Sequence, residues 1–186
     1  MKLIIVNGAR NPTGQTARAA DSVGRGAAAR GAQVEHVLLP PLHVERCRQC
    51  NDDGWGICRT EGRCVIEDDF AALVGKIASA DAVAFATPVY FGDLSESLRA
   101  FLDRLRRTCM HEAGKAKVRG KPAIGVCVAG GGGGGAPHCT DSLTKVLGVC
   151  GFDLLDMVPV RRQNLDAKLA MLHATGEWLA QSGKNI

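Results

Sequence analysis

Ala82-Val83-Ala84-Phe85-Ala86, its continuation Thr87-Pro88-Val89-Tyr90-Phe91-Gly92-Asp93, and the segment carrying Leu94, Leu98, Phe101, Leu102 and Leu105 decide the fold of this chain. The first piece is continuously apolar, as a strand buried on both faces must be. The last places its apolar residues at helical spacing, so it buries one helix face. Between them a proline, two aromatics and a glycine make a sharp connection. A buried strand feeding an amphipathic helix is the repeating unit of a parallel sheet, because each crossover lays a helix over the strands.

The same pattern extends in both directions. Leu3-Ile4-Ile5-Val6, Val34 to Leu39, Ala123 to Ala129 and Leu154 to Val160 are short runs rich in apolar and β-branched residues, and Leu165, Leu169, Leu172 and Leu179 mark a closing helix. The expected class is α/β, a doubly wound five-stranded parallel sheet with helices on both faces. With 186 residues and no composition shift, one domain over 1–186 is expected. Apolar residues at 46% and charged residues at 23% exclude a disordered or fibrous chain. No apolar run approaches the roughly 20 residues of a membrane span. Met1 to Val6 reads as a strand rather than a signal sequence, so a cytoplasmic protein with no membrane partner is expected.

In such sheets ligands sit beyond the carboxyl ends of the strands, where strand order reverses, which singles out the loops after strands one, three and four. After strand one, Asn7-Gly8-Ala9-Arg10-Asn11-Pro12-Thr13-Gly14-Gln15-Thr16 opens into a helix, and its amides and the helix dipole suit a phosphate. The same residues also make an ordinary turn and N-cap. This loop is neither a Walker loop nor a GxGxxG fingerprint, which argues against NTPase chemistry and a standard dinucleotide site. After strand three, Tyr90, the only tyrosine, sits between Pro88 and Gly92 where a flat ring can be clasped. After strand four comes the six-glycine run Gly130 to Gly135.

The net charge of +4 is modest, but Arg104, Arg106, Arg107, Lys115, Lys117, Arg119 and Lys121 concentrate in one stretch. That stretch is expected either to attract a cofactor phosphate, a dinucleotide or an acidic redox protein, or to be a solvated helix end. With aromatics at only 4%, nucleic acid is not an expected partner.

Together the loops resemble the NAD(P)H-dependent FMN reductase family of the flavodoxin-like fold, and in particular its iron-sulfur flavoprotein branch. Gly8 to Thr16 occupies the place of that branch's GSPRxxGNT, with the same length and the closing Gly-x-Thr. Thr87 to Arg104 is similar to its SPVYFGxxSxxLKxFxDR. The resemblance implies an FMN phosphate held by Ala9, Asn11, Gln15 and Thr16, an isoalloxazine lined by Pro88, Val89, Tyr90, Phe91 and Gly92, and Gly130 approaching the ring. The family's arginine position falls on Asn11 and its proline on Arg10, so the guanidinium of Arg10 either reaches the phosphate from a position shifted by one place or does not reach it. The resemblance also points to a homodimer or homotetramer.

Of eight cysteines, Cys47, Cys50, Cys58 and Cys64 form a Cys-x2-Cys-x7-Cys-x5-Cys insert at about 40–66, after strand two. Four thiols in one loop suit a metal ion or an iron–sulfur cluster, and Arg46, Arg48, Arg59 and Arg63 beside them favour thiolates. Zinc also suits such spacing, and reduced thiols or a disulfide are the remaining alternative. The resemblance implies a 4Fe-4S cluster, since the branch keeps the first gap of two and the last of five; the middle gap is longer here. Cys109, Cys127, Cys139 and Cys150 are expected to be small buried hydrophobes, and the His138-Cys139 neighbourhood is read as incidental rather than catalytic.

The leading expectation is an FMN-dependent oxidoreductase or electron-transfer flavoprotein that passes electrons between FMN and the cluster, with NAD(P)H or a redox partner protein outside. The alternatives are an NAD(P)H-dependent FMN or quinone reductase with a structural zinc loop, and a redox-sensing interaction module.

Overall fold

The computed structural model describes residues 1–182. Five strands, β1 (Lys2–Asn7), β2 (Gln33–Leu38), β3 (Ala82–Pro88), β4 (Pro122–Ala129) and β5 (Asp153–Arg161), pair in parallel in the order β2-β1-β3-β4-β5. This is the flavodoxin-like strand order, with the reversal between β1 and β3. The helices are α1 (Gln15–Ala29), the single turn α2 (Ile57–Thr60), α3 (Asp69–Ser79), α4 (Glu96–Thr108), the turn α5 (Glu112–Lys115), α6 (Ala136–Cys150) and α7 (Leu165–Ser182). The chain from Leu39 to Ile66 runs over the surface with α2 as its only helix. Among the described residues no helix is long and apolar enough to cross a membrane.

Alternation along each strand builds two cores. Leu3, Ile5, Ala82, Ala84 and Ala86 face α1 and α7, while Ile4, Val6, Val83 and Phe85 face α3, α4 and α6. The alanines of β3 leave room for α1, and α1 meets α7 at backbone distance. A Cβ on Gly26 would lie 1.9 Å from the His173 carbonyl oxygen, and one on Gly176 would lie 2.1 Å from that of Val23. Neither glycine tolerates a side chain.

The other face holds Cys109, Cys127, Cys139 and Cys150, all buried with free thiols. Contacts within the pairs Cys127–Cys139 and Cys109–Cys150 push the Cys139 and Cys150 thiols up, reinforced by burial, and lower those of Cys127 and Cys109. They behave as core residues, as the sequence leads one to expect.

The basic stretch does not form one patch. Arg104 is 1% exposed, Arg106 pairs with Asp103 at 3.1 Å, Arg119 pairs with Glu112 at 2.6 Å, and Lys121 donates to the Ala80 carbonyl. Helical rotation along α4 turns Arg106 away from the side that Arg104 and Arg107 share, which spacing in the sequence conceals.

Candidate functional site

Two places on the fold gather chemically capable residues. The first is a cleft of about 580 Å³ at the carboxyl edge of β1, β3 and β4, within the range of small-molecule sites. It is lined by Ala9, Arg10, Asn11, Gly14, Gln15 and Thr16 from the first loop, Pro88, Val89 and Tyr90 from the second, and Val128, Gly130 and Gly131 from the third. Nine of the eleven residues expected from sequence therefore meet here. Phe91 and Gly92 do not line the cleft.

The first loop is shaped by its own side chains. Asn7 Oδ1 accepts from the Ala9 amide at 2.9 Å, and Asn11 Oδ1 accepts from the Thr13 amide and hydroxyl, each at 3.0 Å. Gly14 is the N-cap of α1 and offers no side-chain cap, and no acid occupies the first turn. The opening amides of α1 are therefore available to an anion. Gln15 Oε1 is buried in this wall without a hydrogen-bond partner, so the cleft also holds an unspent polar group.

The loop docks on the start of α4 through Gly8. A Cβ there would lie 2.4 Å from Ser95 Oγ and 3.2 Å from Leu98 Cβ. Ser97 Oγ donates to the Gly8 carbonyl at 3.2 Å, and the buried Thr87 Oγ1 accepts from the Ser95 amide at 3.0 Å. Two loops from different strands are thus locked to one helix end.

Tyr90 and Asp93 exchange backbone hydrogen bonds at 3.0 and 2.9 Å, closing a tight turn with φ of +50° at Phe91 and +80° at Gly92. Positive φ at both central positions defines a type I′ turn, which usually takes Asn-Gly. Phe91 accepts that conformation and points its ring wholly into solvent, which is why it leaves the cleft. Asp93 ties the turn to α4 through Arg99 and also accepts from the amide of its neighbour Leu94. Burial pushes its carboxyl up, but these bonds outweigh burial and hold it below the ordinary range. Gly92 also meets the glycine loop, since a Cβ on Gly135 would lie 2.9 Å from its Cα.

The second place is a small cavity in the insert, lined by all four of Cys47, Cys50, Cys58 and Cys64 together with Arg48, Arg104 and Arg107. Among the described residues no three Cys, His, Asp or Glu side chains converge closely enough to hold a single metal ion. The arginines adjacent in sequence are largely engaged elsewhere: Arg48 pairs with Glu45 at 2.9 Å, Arg63 pairs with Glu61 at 2.7 Å, and Arg59 lies over Trp55. Two further arginines, Arg104 and Arg107, reach the cavity from α4.

Arg104 is the centre of a buried network. Its Nη1 and Nη2 donate to Asp68 at 2.6 and 2.9 Å, and Nη1 also donates to the Glu45 carbonyl at 3.1 Å. The guanidinium lies 4.3 Å from the Phe70 ring centroid, and Arg104 lines the same cavity as Cys64. Burial opposes ionisation of Asp68, yet the bonds from Arg104 and from the Glu45 and Phe70 amides hold its carboxyl below the usual range. Asp68 and Arg104 pin both ends of the insert to the body. The sequence signal that could have found Arg104 is a cation on the otherwise apolar face of α4, beside Phe101 and Leu105.

The profile of the NADPH-dependent FMN reductase family matches residues 1–168. Over 131 residues the chain is 31% identical to an iron-sulfur flavoprotein of Methanocaldococcus jannaschii, covering 70% of this chain and 65% of that protein. It is 27% identical over 143 residues to an iron-sulfur flavoprotein of Archaeoglobus fulgidus, covering 77% and 66%. In both cases the match spans just under two thirds of the relative's own length. Among solved structures, a flavone reductase superposes with a TM-score of 0.73 at 18% identity, over 100% of this chain and 64% of that one. An NAD(P)H:quinone oxidoreductase from Methanothermobacter marburgensis superposes with a TM-score of 0.70 at 18% identity, over 96% of both chains. These likenesses agree on the fold. With its profile running from the first strand into α7, this chain belongs to the NADPH-dependent FMN reductase family.

Proposed function

We propose that this chain is an FMN-dependent oxidoreductase whose insert holds a 4Fe-4S cluster on its four thiolates. The observation that carries the flavin reading is convergence: three loops from three strands meet at one cleft whose floor is the uncapped start of α1. That floor offers amides to one phosphate group, and the absence of a dinucleotide fingerprint in the loop favours FMN over FAD.

Within the cleft, Thr16 and Gln15 and the first amides of α1 hold the phosphate, and Arg10 adds charge at the rim. Pro88, Val89 and Tyr90 hold the ring against the sheet edge, and Gly130 and Gly131 let the third loop approach it without side chains. FMN, when bound, exchanges a hydride or single electrons, and the protein's task is to orient it and limit access to it. NAD(P)H or a redox partner protein supplies or removes electrons from outside.

For the insert, all four thiols sit around one cavity while no three stand at single-ion spacing. One group shared by all four is the reading, and a cluster is preferred to zinc because a one-electron centre beside a flavin has a use that zinc lacks. The relatives named iron-sulfur flavoproteins support the same choice. The deciding measurement is the absorption spectrum and composition of anaerobically purified protein. Heat-released flavin is expected to run as FMN, and iron and acid-labile sulfide are expected at about four per chain for a cubane. FAD, or no flavin after reconstitution with excess FMN, refutes the cleft reading. One zinc without sulfide refutes the cluster.

A further inference from the structure

The insert's cavity is lined by two arginines from a helix that lies forty residues further along the chain. Arg104 and Arg107 stand three positions apart on α4 and so share one face of the helix. Every guanidinium nitrogen of Arg104 is committed to protein except Nε, which is buried and has no partner. Nε of Arg107 is in the same condition. The guanidinium of Arg107 lies 4.5 Å from the Trp55 ring centroid, and its Nη1 donates to the Gly54 carbonyl at 2.7 Å. Two buried N–H donors left unspent are costly, unless the site they line holds an acceptor.

The two side chains differ in charge. Arg104 is neutralised by Asp68, so it brings a hydrogen bond but little net charge. Among the described residues Arg107 has no carboxylate within salt-bridge distance, so its positive charge stands uncompensated beside the thiols. A cluster on four thiolates is anionic and gains one more negative charge on reduction. Donors and cations near its sulfurs stabilise the reduced form more than the oxidised one and raise its potential.

We propose that Arg104 and Arg107 are positioning residues of the insert site, with their Nε–H groups donating to cluster or thiolate sulfur, and that Arg107 raises the cluster's reduction potential. The same helix begins at the flavin loops, where Ser95 and Ser97 brace Thr87 and Gly8. One rigid element therefore sets the electrostatics of the insert and the geometry of the cleft. This inference rests on the cluster reading above.

The test is a spectroelectrochemical titration of anaerobically reconstituted protein carrying Arg107→Gln, Arg107→Lys or, as a control, Arg106→Gln, with iron, sulfide and FMN measured in each. Arg106 loses the same charge from the same helix, but it faces away and pairs with Asp103. Arg107→Gln is expected to favour the oxidised cluster about tenfold, a shift of about 59 mV to lower potential for a one-electron couple. Arg107→Lys is expected to fall between it and wild type, because it keeps the charge and loses the fixed Nε–H. Arg106→Gln is expected to match wild type. An Arg107→Gln midpoint equal to wild type at full iron content overturns the proposal while leaving the cluster reading intact. Should Arg107→Gln shed its iron, an Arg107→Lys midpoint equal to wild type overturns it. Wild-type protein that takes up no iron and sulfide refutes the cluster reading itself, and the proposal falls with it.

Discussion

Replacing Asp68 with asparagine isolates the physical link between the insert and the body of the protein. The Asp68 side chain is fully buried against Arg104, itself 1% exposed. Its Oδ1 accepts from Arg104 Nη2 at 2.9 Å and from the Phe70 amide at 3.1 Å, while Oδ2 accepts from Arg104 Nη1 at 2.6 Å and from the Glu45 amide at 2.8 Å. Whichever way the asparagine amide turns, its NH2 group faces two donors and loses both bonds. The substitution also leaves a buried guanidinium without its counter-charge. Breaking a buried pair from one side costs about 3–5 kcal/mol. For a chain of this size that corresponds to a fall in Tm of roughly 6–20 °C.

Guanidinium chloride unfolding of reduced, metal-free and flavin-free protein measures this directly. Asp103→Asn serves as the control, because its half-exposed pair with Arg106 is expected to contribute no more than about 1 kcal/mol. The Asp68 carboxyl titrates below its unfolded value, so its contribution is fully present above about pH 3.9 and disappears as the pH falls through its folded value. The gap between wild type and Asp68→Asn is therefore expected to narrow in acid below that point. FMN affinity should survive, since the cleft shares no residue with this network. A variant within about 1 kcal/mol of wild type at neutral pH refutes the claim that this pair anchors the insert.

The remaining expectations concern single positions. Gly8→Val drives a side chain into Ser95 and Leu98, and at about 1–3 kcal/mol of overpacking it should weaken FMN binding roughly 5- to 150-fold, as read by quenching of flavin fluorescence; an unchanged Kd argues against this docking. Cys58→Ser should lose iron and sulfide while FMN stays bound, and an intact cluster would put Cys58 outside the ligand set. Cys127→Ala should keep both cofactors and cost about 1 kcal/mol of packing in chemical denaturation. Phe91→Asn relieves a positive φ without removing any buried ring, so it should stabilise the fold by about 0.5–1 kcal/mol and leave FMN affinity alone. Loss of affinity there would show that Phe91 reaches the flavin.

Sequence periodicity alone determined the class of fold, because the three central strands, buried on both faces, are continuously apolar, the edge strands are apolar-rich, and the covering helices alternate. The runs Leu3 to Val6, Val34 to Leu39, Ala82 to Ala86, Ala123 to Ala129 and Leu154 to Val160 all fall on strands, with only end residues such as Leu39 outside. The loops after strands one, three and four were legible as one site for a similar reason: parallel topology sends every strand-to-helix loop to the same sheet edge. Grouping Cys47, Cys50, Cys58 and Cys64 needed only their closeness in sequence. The partners of those cysteines did not emerge that way. Arg104 and Arg107 reach the insert because α4 rotates them toward it and Asp68 fixes one of them, contacts between residues that chain proximity does not connect. The exclusion of Phe91 from the cleft likewise follows from a backbone dihedral, +50°, that the hydrogen bonds of a closed turn impose. Local pattern fixes which elements form, whereas the direction of a side chain depends on helical phase and turn geometry, which only the packed structure supplies.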